Sequence, residues 1–106
     1  MQTEMLRFLG LMRRAGKLAV GETGTGQSAR EGKAALILLA SDASENAEDR
    51  ARGFAHRAQV PLIRLKAEKA ELADALHVAG GAIAAVYDKG FAQALIEKYA
   101  DDLERI

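Results

Sequence analysis

In the stretch GETGTGQSAR (21–30), Gly21, Gly26 and Ser28 stand at the spacing of G-x-x-x-x-G-K-[ST]. In such a loop the backbone amides cradle phosphates, the lysine reaches the outer phosphates and the hydroxyl meets a metal ion. The setting fits as well, because Leu18-Ala19-Val20 before it reads as a strand and a helix should follow. A second apolar strand, Leu36 to Leu39, precedes Asp42, which mimics a metal-binding acid. The lysine position, however, holds Gln27. A neutral amide cannot balance the charge that develops on a transferred phosphoryl group, so nucleotide hydrolysis is not expected. Phosphate or nucleotide binding by the Gly21–Ser28 turn stays open as an alternative, since helix N-terminal amides still point outward.

The same geometry suits a folded RNA, which is read by shape and by exposed base edges. Glycines admit a close backbone approach, and Glu22, Thr23, Thr25, Gln27 and Ser28 supply hydrogen bonds around Gly21 and Gly24. Lys17, Arg30 and Lys33 lie near the turn in sequence and would supply salt-sensitive phosphate contacts.

Other candidates have plainer readings. Arg13 and Arg14 end the first helix, where cations complement the dipole. Asp42 and Asp88 read as helix caps, with Asp42 also counted at the ligand edge, and Asp101, Asp102 and Glu104 as a solvated helix face. His56 falls in a polar stretch, whereas His77, in a loop, could stack on a base. With no cysteine and two distant histidines, neither a disulfide nor a metal site is expected. No nucleophile–base pair and no convergent carboxylates occur, so we expect no catalytic residues, no cofactor, no small-molecule substrate and no enzyme activity.

These residues must be held by a core of Ala, Leu, Ile and Val, for only 5% of the 106 residues are aromatic. A chain of this length buries about 60–65% of its unfolded surface as one domain, expected over 1–106. No apolar run approaches the ~20 residues that span a bilayer, and no secretory pattern opens the chain, so no membrane partner and a cytoplasmic setting are expected. The net charge of zero conceals an asymmetry: residues 1–40 carry six bases and three acids, the remainder nine bases and twelve acids. One basic working face and one acidic solvated face would produce it.

Periodicity supplies the elements. Met5, Leu6, Leu9 and Met12 recur at helical spacing before Gly16. A short helix is expected over 25–31, closed by Gly32. The continuous apolar run 34–40 (AALILLA) predicts a strand covered on both faces. Ala47, Ala51, Phe54, Ala55 and Ala58 mark a third helix, residues 62–66 a strand after Pro61, and residues 68–76 a fourth helix. Residues 82–86 form another strand, and Phe91, Leu95, Tyr99 and Leu103 line a last helix. Strands joined by helices predict an α/β fold, a three-layer α/β/α sandwich of about four mostly parallel strands with helices on both faces. Ligands in such sheets sit at the strands' carboxyl ends, here 21–27, 41–44 and 88–90, with 77–82 approaching from another side.

Three blocks, FLGLMRRAGKLAVGE (8–22), REGKAALILLASDASEN (30–46) and AVYDKGFAQAL (85–95), resemble the kink-turn RNA-binding ribosomal-protein family ("seven-Ae"-like), and within it the bacterial YlxQ-like branch. The resemblance runs over nearly the whole chain. It implies the same sandwich, non-catalytic binding of structured RNA bent at G·A pairs, and association with the ribosome. The family turn carries G-x-[NK]-[ES]-x-x-K; of its determinants this chain keeps Gly21 and has Thr23, Gly24 and Gln27 in place of Asn, Glu and Lys. The family's second contact loop falls on His77-Val78-Ala79-Gly80-Gly81, whose Val78, Ala79, Gly80 and Gly81 would pack against a flipped-out base. A domain that has lost its RNA determinants and binds protein instead is the remaining alternative.

Overall fold

The computed structural model describes residues 2–106, with side chains from Thr3 onward. The elements run α1 (Gln2–Arg14), β1 (Leu18–Val20), α2 (Glu22–Arg30), β2 (Leu36–Leu39), α3 (Glu45–Ala58) and β3 (Leu62–Leu65). They continue through α4 (Lys69–Leu76), β4 (Ile83–Val86), α5 (Lys89–Lys98), a 3-10 turn (Ala100–Asp102) and β5 (Leu103–Arg105). Among these residues no helix is long and apolar enough to cross a membrane.

The strands form one sheet in the order β1-β4-β2-β3-β5. Only β2 and β3 pair in parallel; β1–β4, β2–β4 and β3–β5 are antiparallel. The expected sheet of about four mostly parallel strands is therefore corrected to a mixed sheet of five, while the layering with helices on both faces stands. Two local events account for the difference. Helix α4 has eight residues, about 12 Å of helix, and the segment 77–82 carries the chain back to the edge where β3 ended. Strand β4 then enters the slot between β1 and β2 running the opposite way.

The second event is at the end of the last helix. It stops at Lys98, and Leu103, expected on its apolar face, instead pairs opposite Leu65 in β5. Continuing the helix would have set Asp101 and Asp102 at the negative end of its dipole. The tail is thus no solvated helix face: Asp102 is buried, and Glu104 pairs with Arg64.

The core explains the run at β2. Leu36 and Leu38 face α1, α4 and α5, among Met5, Leu9, Met12 and Leu95. Ile37 and Leu39 face the α2–α3 layer, among Ala51, Ala55 and Ile83. All four strand residues are buried, as expected of a strand covered on both sides. The helix starts are fixed locally: Ser44 Oγ accepts from the Ala47 amide at 3.1 Å, and Asp88 Oδ1 from the Phe91 amide at 3.0 Å. Glu48, on α3, accepts from Arg52 and pairs with Arg64 on β3; the Arg52 hydrogen bond and both positive charges hold its carboxyl below the ordinary range.

Candidate nucleic-acid interface

Because β4 runs against β1, β2 and β3, one edge of the sheet gathers the ends of those three strands and the start of β4. The Gly21 turn, residues 41–44 and the 77–82 loop lie on this edge. Residues 88–90, expected there, follow β4 and therefore lie on the opposite edge, a direct consequence of the antiparallel pairing.

Gly21 is the junction. Its backbone, at φ 99 and ψ 163, occupies a region essentially closed to residues with a Cβ. Its amide donates to Ile83 O at 2.8 Å, which locks the turn onto β4. Helix α2 starts at once at Glu22, three residues earlier than the sequence pattern predicts, and Thr25 N donates to Gly21 O at 3.1 Å to close the first turn. Gly21 offers no side chain to cap the helix, so the amides of Glu22, Thr23 and Gly24 open toward the edge.

The 77–82 loop comes up beside this turn. A Cβ built on Gly81, itself at φ 140, would lie 3.2 Å from Val20 Cγ1 and 3.4 Å from the Gly21 amide nitrogen. Two glycines thus let the two predicted contact segments meet backbone to backbone. Ala79 and Gly80 are exposed and Val78 is half-buried against the core. The surface is an uncapped helix N-terminus beside a small, uncharged lip, suited to an anion or base edge and to an apolar flat group respectively.

Further along α2 the phosphate-loop analogy ends. Gly26 and Ser28 lie inside the helix and are buried, and Ser28 Oγ donates to Thr25 O at 2.8 Å. Gly26 serves packing: a Cβ there would meet the Phe54 ring at 3.1 Å, so its absence brings α2 close to α3. Thr25 is fully buried and its hydroxyl has no hydrogen-bond partner. An unmatched buried hydroxyl costs about 1–3 kcal/mol. Thr25→Val, which keeps the shape, is expected to raise stability by about 1 kcal/mol in a denaturant titration.

Thr23 and Gln27 are exposed one turn apart on the same face of α2, with Gln27 donating to Glu31 at 3.1 Å. Gly24 faces inward, where a Cβ would lie 3.3 Å from that of Ala19. Glu22 pairs with Arg50 of α3 at 2.9 Å, which offsets the one acid on the turn. Arg50 had no local signal in the sequence, since the contact joins two helices. Asp42, counted among the ligand residues, has its Oδ1 accepting from the Lys69 amide at 2.8 Å, so it caps α4.

Lys17, Arg30 and Lys33, expected beside the turn, are not brought to it. Lys17 precedes β1, Lys33 precedes β2, and α2 carries Arg30 about 12 Å away along its axis. All three belong to the opposite edge by backbone position, though the Arg30 guanidinium reaches back beside Gly26. Among the described residues no three His, Asp or Glu side chains gather to hold a metal ion.

Comparisons agree with this architecture. Residues 3–96 match the model of the "Ribosomal protein L7Ae/L30e/S12e/Gadd45 family". A stretch of 63 residues is 36% identical to the Enterococcus faecium "RNA-binding protein YlxQ", covering 59% of this chain; the match spans 61% of that relative's length. A Bacillus halodurans protein of unknown function has the same fold with TM-score 0.78 at 26% identity, over 88% of this chain and 93% of that one. The Giardia lamblia 15.5kD RNA binding protein superposes with TM-score 0.70 at 18% identity, over 95% of this chain and 86% of the other, a likeness of fold.

Proposed function

The chain belongs to the ribosomal protein L7Ae/L30e/S12e/Gadd45 family, and from that premise we propose that it is a non-catalytic, cytoplasmic RNA-binding protein that grips bent, structured RNA of the kink-turn kind. The observation that carries the reading is the meeting of the Gly21 turn and the Gly81 loop at one sheet edge. The open amides of residues 22–24 would take a phosphate or a base edge at the bend. Val78, Ala79 and Gly80 would support an unstacked base, whose flat face needs only apolar contact. Ribosomal RNA is the natural source of such a bend for a protein of ribosomal type. The burial of Ser28 inside α2 weighs against a nucleotide ligand, which would need that hydroxyl on its metal ion.

The test is a titration of a kink-turn RNA against the same duplex with its G·A pairs replaced. Preference for the bent RNA supports the proposal, and equal affinity for both removes the specificity. A gain-of-function variant adds a second check. Thr23→Asn with Gln27→Lys restores two family determinants on one exposed helix face, and one new charge-assisted contact is worth about tenfold. Kink-turn affinity is expected to rise by about that factor, while affinity for the replaced duplex rises less.

A further inference from the structure

We propose that the opposite edge of the sheet is a second RNA-binding surface, one that takes the phosphodiester backbone irrespective of sequence. The starts of β1 and β2 flank the end of β4 there. Tyr87 N donates to Lys17 O at 2.8 Å, and Ala35 N donates to Val86 O at 2.7 Å. Neighbouring strands stand about 4.8 Å apart, so Lys17, Lys33 and Lys89 are held within a few strand spacings. Arg13 joins them from the last turn of α1, which runs straight into Lys17.

All four cations are exposed, and among the described residues Arg13, Lys17 and Lys89 have no carboxylate partner. The two acids of this edge are engaged. Glu31 lies 3.3 Å from Lys33 in an exposed pair, which water screens, and Asp88 accepts from the Phe91 amide. The helix dipole accounts for Arg13, but not for the rest. Lys17 and Lys33 lie outside any helix, and Lys89 opens α5, at the end where a cation is unfavourable. The other edge mixes Asp42, Glu45 and Glu68 with Lys66 and Lys69 and gathers no such group of cations.

The proposal concerns a surface distinct from the Gly21 turn, and the test separates them. The probe is a single-stranded homouridine RNA, titrated at several salt concentrations against the parent and against the quadruple variant Arg13→Ala, Lys17→Ala, Lys33→Ala, Lys89→Ala. Each cation on a single strand contributes about 0.7 to the slope of log K on log salt. The quadruple variant is expected to lower that slope by about three and to weaken binding roughly tenfold at low salt. An unchanged slope overturns the proposal. So does edge-dependent binding of phosphatidylserine vesicles or polyglutamate that exceeds binding of the RNA. Homouridine binding that needs the edge, without discrimination of the kink-turn, would sink the turn reading alone and leave this one standing. The charge reversal Lys33→Glu, on an exposed side chain outside the core, is expected to lower the slope by about one.

Discussion

Gly21→Val is expected to weaken binding of a kink-turn RNA by about a hundredfold, the loss of two charge-assisted contacts at roughly tenfold each. The Cβ itself would meet nothing within 4 Å, so the cause is not a clash. It is the backbone: φ 99 with ψ 163 costs on the order of 1–3 kcal/mol for a residue other than glycine. Relief requires rotating the peptides on either side of residue 21. One of them carries the amide bonded to Ile83 O, and the other leads into the three open amides of α2. The thermal midpoint should fall by several degrees as well. Binding by the folded variant equal to that of the parent would remove the turn from the interface.

Leu38→Ala is expected to have the largest effect on stability, about 2–5 kcal/mol toward the upper end, read as a midpoint drop of at least about 10 °C. Leu38 is 1% exposed in β2, between β4 and β3, and faces α1 and α4. A cavity of about 10 Å³, lined by Leu9, Leu18, Leu38, Leu76 and Ile83, already lies beside it. The truncation would enlarge that void, and neighbours on both sides in the sheet leave little room for collapse. A loss below 1 kcal/mol in denaturant unfolding would show that this layer repacks freely.

Much of this was legible in the sequence, for stated reasons. AALILLA announces a strand buried on both faces, and Asp88 announces the start of α5. The direction of β4 was not legible, because the pattern of α4 is the same whether the chain crosses the sheet or returns to the edge it left. That one ambiguity moved residues 88–90 off the ligand edge. The position of the cations is a matter of helix length: Arg30 is nine residues from Gly21 in sequence, which is a whole sheet height once those residues are helical. Burial of Thr25 and Ser28 was likewise hidden, since Gly26 between them suggests a loop until Phe54 is seen lying against it. The meeting of Gly21 with Gly81, sixty residues apart, had no local signal, and the family resemblance named the two segments as contact surfaces without setting them against each other.

The interposed position of β4 also bears on how the chain is born. Strands β1 and β2 have no contact with each other through the sheet until residues 83–86 arrive between them. During synthesis the first eighty residues therefore hold an unpaired strand β1 apart from the β2–β3 pair, and the Gly21 amide lacks its native acceptor until Ile83 has emerged. Recognition and folding are completed by the same late event. A nascent chain halted before residue 83 should consequently be open to protease throughout its N-terminal half, and should gain resistance and RNA affinity together once β4 has been made.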